Sequence, residues 1–376
     1  MGFKKHTDIQ YKSIPAIMKG EDLLAIAQTG TGKTAAFAIP LVNKIQIQKR
    51  NFKDYVIRTL VMVPTRELAL QITEVFQKIS KGTRVKTVCL YGGVDQESQK
   101  NKLYAGADVL VTTPGRMFDL HYQGDLDLSK VHTLVLDEAD HMLDLGFIKD
   151  IQDVMGRLPR VRQTLFFSAT INKKIKKTAY DLIRANAIRI QISPKDPVSK
   201  NIKHSVAYVN MDDKRYFLER LIKENEGTKI LVFVRTKVRA ERVKKAMARV
   251  GIETLTIHGD KEQLDRTSTM NSFRKGEIKV MIATDVSARG IDIANVDYVV
   301  NYDLPDVPEN YVHRIGRTGR GREKGNAVSF CSQEEKVVLK EIEDFLRETL
   351  PFCKPGVYVV SIGYNGSTFS DKFLRF

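Results

Sequence analysis

Short apolar runs rich in β-branched residues alternate with longer amphipathic stretches along almost the whole chain, and that rhythm leaves few folds open. The runs read as strands are Leu23–Ile26, Thr59–Val63, Asp108–Thr112, Val131–Leu136, Thr164–Phe167, Ile230–Val234, Val280–Ala283 and Tyr298–Asn301. They are apolar on both faces, as strands of a covered parallel sheet are. Helical patterns lie between them. In Thr236–Val250, the residues Val238, Val243, Ala246, Met247 and Val250 form one apolar stripe, with Arg239, Arg242, Lys244 and Lys245 mostly off it. Strand alternating with helix predicts an α/β architecture on doubly wound parallel sheets.

The 376 residues exceed one ordinary domain. The rhythm breaks at Ile192–Lys200, where Pro194 and Pro197 mark a linker. Domain one is therefore placed at 1–194 and domain two at 200–350, with 351–376 a lightly charged tail of no clear period. Lys and Arg exceed Asp and Glu by 61 to 45, a formal charge of +16, which favours a polyanionic partner. Cys89, Cys331 and Cys353 are too scattered for a disulfide framework or a metal cluster and read as reduced thiols. The first ten residues lack the apolar core of a signal peptide, and His6 stands where a myristoylation signal needs Ser or Thr. No apolar run approaches a membrane span, so the expectation is a soluble, cytoplasmic protein.

The chemistry starts at Ala27-Gln28-Thr29-Gly30-Thr31-Gly32-Lys33-Thr34, between an apolar strand and the helix-forming Ala-Ala-Phe-Ala. Backbone N–H groups at Gly30, Gly32 and Lys33 would form a nest at a helix N-terminus, suited to phosphates. Lys33 would neutralise β- and γ-phosphates, and the Thr34 hydroxyl would sit on Mg²⁺. A second element agrees: the strand Val131–Leu136 ends in Asp137-Glu138-Ala139-Asp140. Carboxylates at a buried strand's C-terminal end, beside a phosphate loop, suit a metal ligand (Asp137) and a residue that orients or deprotonates water (Glu138).

These motifs and those that follow resemble the DEAD-box ATP-dependent RNA helicases over nearly all of residues 2–350, in family order. In the first domain the matches are Pro64–Ala69, Gly92-Gly93, Thr113–Arg116 and Ser168-Ala169-Thr170. In the second they are Val232–Thr236, Gln263–Arg266, Ala283–Asp292 and His313–Arg320. The resemblance implies two tandem RecA-like domains that bind ATP and Mg²⁺ between them and hold RNA across both. Thr65, Arg66, Gly93, Thr113, Arg116, Thr236, Arg266 and Thr284 would contact RNA. Their hydroxyl and guanidinium donors suit a sugar-phosphate backbone without reading bases. Ser168, Thr170 and Asp140 would couple hydrolysis to strand separation. Arg317 and Arg320 would reach the γ-phosphate as arginine fingers. His313 and Asp292 would link ATP, the catalytic water and the RNA site.

Gln10 matches the glutamine that recognises adenine in this family through a paired donor and acceptor. Two departures stand beside it. His6 replaces the proline that usually precedes Thr7, and no aromatic lies at the usual upstream distance, Phe3 being too close to Gln10. The expectation is weak ATP binding and poor discrimination against GTP. The implied activity is RNA-stimulated ATP hydrolysis by a monomer, coupled to domain closure and unwinding of short duplexes. An ATP-gated RNA clamp, a DNA helicase and a truncated, inactive gene product remain alternatives. The target RNA is not named by these residues, and ribosome assembly and RNA decay stay open.

Overall fold

The computed structural model describes residues 5–27, 30–49, 56–170, 173–192, 198–285, 296–319 and 323–353. The first half runs α1 (Asp8–Lys19), β1 (Leu23–Ala27), α2 (Lys33–Gln48), β2 (Thr59–Met62), α3 (Arg66–Ser80), β3 (Thr87–Leu90), α4 (Gln96–Tyr104), β4 (Val109–Thr112) and α5 (Pro114–Tyr122). It continues through β5 (Thr133–Leu136), α6 (Ala139–Asp144), α7 (Ile148–Arg157), β6 (Gln163–Ser168), α8 (Lys173–Leu182) and β7 (Ile188–Ile192). The second half runs β8 (Ile202–Tyr208), α9 (Lys214–Glu224), β9 (Ile230–Phe233), α10 (Lys237–Arg249), β10 (Leu255–Ile257), α11 (Gln263–Lys275) and β11 (Val280–Ala283). It ends with β12 (Tyr298–Asn301), α12 (Pro308–Ile315), β13 (Gly325–Cys331), a short 3-10 turn and α13 (Lys336–Leu346).

Two sheets result, both parallel throughout. The first is ordered β3-β4-β2-β5-β6-β1-β7 and the second β10-β11-β9-β12-β13-β8. The period-2 geometry of a strand sends alternate side chains to opposite faces, and here each face is covered. In β2, Leu60 and Met62 join one cluster, while Val61 joins the cluster on the other face. In β9, Leu231 and Phe233 pack on one side, Ile230 and Val232 on the other. The two-sheet α/β architecture expected from the rhythm is what the chain adopts.

The seven anticipated strands that follow the phosphate loop are all present, within two residues at each end. One stripe is corrected. In α10 the buried residues are Ala240, Val243 and Met247, whereas Val238 is 54% exposed and Val250 is exposed as well. Val238 lies two residues, or about 200° of helix rotation, from Ala240, and so faces away from the sheet. Most of the linker segment (193–197) and the tail beyond residue 353 lie outside the described residues. Just before that point the chain lines up with β8: Val206 N donates to Pro351 O at 3.0 Å and Cys353 N to Val206 O at 2.8 Å.

One buried ion pair braces the second sheet. Lys214, fully buried, donates from Nζ to Glu335 Oε2 at 2.6 Å and to Tyr302 O at 2.7 Å. Glu335 also accepts from Ser332 N at 3.0 Å. Removing one member of such a pair leaves the other charged in an apolar setting, at a cost of about 3–5 kcal/mol. Lys214→Ala is therefore expected to lower the urea midpoint of the second domain sharply. Lys214→Met combined with Glu335→Leu should recover most of the loss, and no recovery in the double variant would contradict this account.

Candidate active site and nucleic-acid interface

Because β5, β6 and β1 are neighbours, their C-terminal ends bring three motifs to one edge. Gly32 is the N-cap of α2 with φ 91°, a conformation that suits glycine. A Cβ built there would lie 2.6 Å from Gln10 Nε2, so the loop also needs glycine for space. Gln10 Nε2 donates to Gly32 O at 3.2 Å, and Thr7 N donates to Gln10 Oε1 at 3.1 Å. The first helix is thus tied to the phosphate-type loop. The Gln10 amide keeps one N–H and one lone pair for a further partner. Lys33 follows, 7% exposed, and its Nζ has no hydrogen-bond partner among the described residues. A buried ammonium without an acceptor is costly, and the site is built to receive an anion. Ala27 ends β1, and Thr31 and Thr34 are partly buried around the loop.

Asp137 and Glu138 stand at the end of β5, with Glu138 N donating to Asp137 Oδ1 at 3.0 Å. Glu138 adopts φ 50° and ψ 47°, a left-handed conformation rare for a residue with a side chain. Such local strain, of order 1–3 kcal/mol, persists where the surroundings impose it. The two carboxyls differ in the pH at which they ionise. Burial pushes Asp137 up to about 6, outweighing the pull of the Lys33 charge. Burial also raises Glu138, but His141 (its Nδ1 3.5 Å from Glu138 Oε2), Lys33 and Arg317 outweigh it and hold the group at about 2. Asp140 turns away from this pair. Its Oδ2 accepts from Ala169 N at 3.1 Å, Thr170 N at 3.0 Å and Thr170 Oγ1 at 3.1 Å, and Ser168 Oγ donates to Thr170 O at 2.8 Å. The end of β6 is thereby latched to the end of β5.

The other half of the same edge belongs to β3, β4 and β2. Thr65 caps α3, accepting from Leu68 N at 3.3 Å, and Thr113 is the N-cap residue of α5. In the second sheet Thr236 caps α10, accepting from Arg239 N at 3.2 Å, and Thr284 follows β11. A capping hydroxyl accepts from the helix and keeps its own proton to donate, while the helix start adds a positive field. Arg66 lies over Gly93, whose φ is 78°, and a Cβ there would come 2.8 Å from the guanidinium carbon. Arg116 donates from Nη2 to Val94 O at 3.1 Å, while its Nε and Nη1 and the Nε of Arg266 are buried without hydrogen-bond partners among the described residues. Burial comes first, and the neighbouring Arg266 and Arg116 add to it, in lowering the Arg66 pKa. Clustered guanidiniums with spare donors beside helix starts make a surface for phosphates.

The two sheets meet along these edges. Arg66 Nη1 donates to Gln263 Oε1 at 3.1 Å, and Arg266 Nη2 lies 2.6 Å from Glu67 Oε1, with both side chains largely buried. Arg317, 5% exposed, donates from Nε to the His313 carbonyl at 3.2 Å, and its charge is felt by Glu138 across the gap. Gln28, Thr29, Asp292 and Arg320 lie outside the described residues.

Several residues in this arrangement went unremarked in the sequence. Glu67 and Gln263 sit inside quoted motifs, but nothing local announces that they pair across domains. His141 follows the carboxylate run by one residue. Arg314, 2% exposed, holds Asp285 in a two-pronged pair at 2.5 and 2.8 Å and so joins the end of β11 to α12. A charge swap tests the crossing. Arg266→Glu places two carboxylates together and is expected to raise the radius of gyration in X-ray scattering. Adding Glu67→Arg should restore the compact value, and an unchanged radius in the single variant would show that the pair holds nothing.

A DEAD/DEAH box helicase family model matches residues 7–178, and the helicase conserved C-terminal domain model matches residues 213–322. The chain is 40% identical over 356 residues to the ATP-dependent RNA helicase RhlB of Shewanella amazonensis, covering 93% of this chain and 80% of that one. It is 41% identical over 355 residues to the DEAD-box ATP-dependent RNA helicase CshA of Geobacillus kaustophilus, covering 94% and 75%. Among solved structures, S. cerevisiae Dbp5 bound to RNA and ADP BeF3 superposes with a TM-score of 0.84 at 31% identity, covering 94% of this chain and 91% of that one. The DEAD-box helicase Mss116 bound to ssRNA and UDP-BeF gives 0.85 at 29% identity, covering 98% and 76%. On its site geometry, its two matched domains and these relatives, the chain belongs to the DEAD-box family of ATP-dependent RNA helicases.

Proposed function

We propose that the protein is an RNA-stimulated ATPase in which residues 1–194 and 200–350 act as two domains that close on ATP and one RNA strand, melting short duplexes. The observation that carries this reading is the buried Lys33 ammonium, without a hydrogen-bond partner among the described residues and facing Asp137 and Glu138, with Arg317 of the other domain acting on Glu138. ATP would place its phosphates on Gly30, Gly32 and Lys33 and its adenine against the free half of the Gln10 amide. The donor set of Asp137 carboxylate and Thr34 hydroxyl is hard oxygen, which fits Mg²⁺. Bound there, the ion would neutralise charge on the phosphate oxygens. Glu138, kept ionised by His141 and Lys33, would orient and deprotonate the attacking water. Arg317, with Arg320, would stabilise charge in the transition state, so full activity would need both domains in contact. His313 and Asp292 would relay closure to the water. RNA would lie along Thr65, Arg66, Gly93, Thr113, Arg116, Thr236, Arg266 and Thr284, held by its backbone and told from DNA by its 2′-hydroxyls. Asp140, Ser168 and Thr170 would pass the state of β5 to β6.

One comparison tests the whole reading. Single-stranded RNA should raise the ATPase rate severalfold and DNA of equal length should not. Glu138→Gln should retain ATP and RNA but lose roughly 10²–10⁴ of the rate, whereas Lys33→Ala should lose nucleotide binding itself. Equal stimulation by DNA, or wild-type turnover in Glu138→Gln, would overturn it.

A pH dependence also follows. Asp137 is raised, so it takes up a proton as pH falls through about 6, while Glu138, at about 2, stays ionised. The acid limb of activity therefore belongs to Asp137. Between pH 7.5 and 5.5 its ionised fraction drops roughly fourfold, and the Mg²⁺ needed for half-maximal rate should rise by about that factor. After correction for the titration of ATP itself, a Mg²⁺ requirement that does not move with pH would refute this role.

A further inference from the structure

A cleft of about 720 Å³ runs along the outer side of β3 between α3 and α4; none of the residues placed on ATP or RNA lines it, although Val94 at one end accepts from Arg116. β3 ends its sheet and is paired with β4 on one side. The Lys86 carbonyl accepts from Val109 N at 3.1 Å and the Leu90 carbonyl from Thr113 N at 3.2 Å, so alternate residues of β3 address β4. In a parallel ladder the intervening residues, Thr87, Cys89 and Tyr91, then turn their N–H and C=O outward. At Tyr91 both groups are met by one side chain. Gln99 Nε2 donates to Tyr91 O at 2.9 Å, and Tyr91 N donates to Gln99 Oε1 at 3.2 Å. The Gln99 amide stands where the peptide unit of a neighbouring strand would stand. At Thr87 and Cys89 no such substitute exists: their outward backbone groups have no hydrogen-bond partner among the described residues. Thr87 Oγ1, shielded from solvent in the same cleft, has none either.

We propose that this edge takes up an extended segment of a partner protein, which adds a strand beside β3. The walls decide the kind of occupant. Helices α3 and α4 rise on both sides of β3, which suits a single extended chain better than the edge of a second copy flanked by its own α3 and α4. On the α3 side the cleft presents Leu70 and Thr73, which suit β-branched apolar side chains. On the α4 side it presents Ser98 and Lys102. The other charged residues of the cleft have partners nearby: Glu74 lies 3.8 Å from Lys78, Asp95 Oδ2 accepts from Ser98 N at 2.8 Å, and Lys86 Nζ donates to Ala105 O at 3.0 Å. Lys102 is exposed and has no ion-pair partner among the described residues. The fitting segment therefore alternates apolar β-branched residues with acidic ones.

The test uses the full chain and a fluorescein-labelled heptapeptide of alternating valine and glutamate, followed by fluorescence anisotropy. Saturable binding is expected. Methylating alternate peptide nitrogens, which removes strand donors and leaves the side chains, should weaken it roughly tenfold. Lys102→Glu, on an exposed helix position, should reject this peptide and prefer its valine–lysine counterpart. Equal binding of the methylated peptide, no binding of the parent, or an unchanged preference in Lys102→Glu would each overturn the proposal. So would a stable dimer of the peptide-free chain in sedimentation, which would assign the edge to a second copy. Neither nucleotide nor RNA is present, so the outcome is independent of the proposed ATPase.

Discussion

A parallel sheet covered on both faces leaves one place for polar chemistry, the ends of its strands. In this chain β2, β4, β5 and β11 are buried along their length, and a polar residue of the site follows each C-terminal end: Asp137 after β5, Thr65 after β2, Thr113 after β4, Thr284 after β11. The strand order then sorts the functions. Neighbours β5, β6 and β1 gather the anion-binding loop, the carboxylates and the Ser168–Thr170 turn, while β3, β4 and β2 gather helix starts and arginines. A single edge carries both sites because the crossover connections place every helix start on the same side.

Electrostatics within that edge is an exercise in unequal neighbours. Asp137 and Glu138 are adjacent in sequence, the first buried and the second largely so, and both within reach of Lys33, yet burial wins at one and cations win at the other. The difference comes from His141 one helical turn on, and from Arg317 in the second domain. A pair of acids set apart by environment is the arrangement that lets one hold a cation while the other accepts a proton.

What could be read in the amino-acid sequence, and what could not, divides along the same physical line. Strands in the middle of each sheet are buried on both faces, so they appear as continuous apolar runs. The strands that escaped notice are β3, β7, β8 and β10, the four sheet edges, and β13. Edge strands are half covered: β7 buries Ile190 but exposes Ile188 and Arg189, and β8 carries Lys203 and His204. In β13, Asn326 and Ser329 interrupt the run, although Ser329 is buried and bonded to Asn301 Nδ2 at 3.0 Å. The motif residues were legible because their chemistry is local: glycines, a lysine, a carboxylate run. Their partners were not, because Glu67 and Arg266, or Asp285 and Arg314, are brought together by topology alone.

The contrast between cores and crossing has a consequence for how the two halves work together. Each apolar cluster stays within its own sheet: two are built from residues up to Ile190, and two from residues after Val198. Among the described residues the halves are joined by polar contacts: an Arg66–Gln263 hydrogen bond, a Glu67–Arg266 ion pair and the field of Arg317 on Glu138. A crossing made of apolar residues would hold the halves together at a cost too high for repeated opening. Polar contacts exchange for water with little net change, since a hydrogen bond contributes about 0.5–1.5 kcal/mol net. In the proposed function the balance between open and closed is left to the anions that enter the edge. Lys33 Nζ, Arg116 Nε and Nη1 and Arg266 Nε, which have no hydrogen-bond partner among the described residues, would find acceptors in the phosphates of ATP and RNA. In the proposed cycle ATP and RNA therefore provide what the interface itself lacks, and loss of the γ-phosphate removes enough of it to let the halves part.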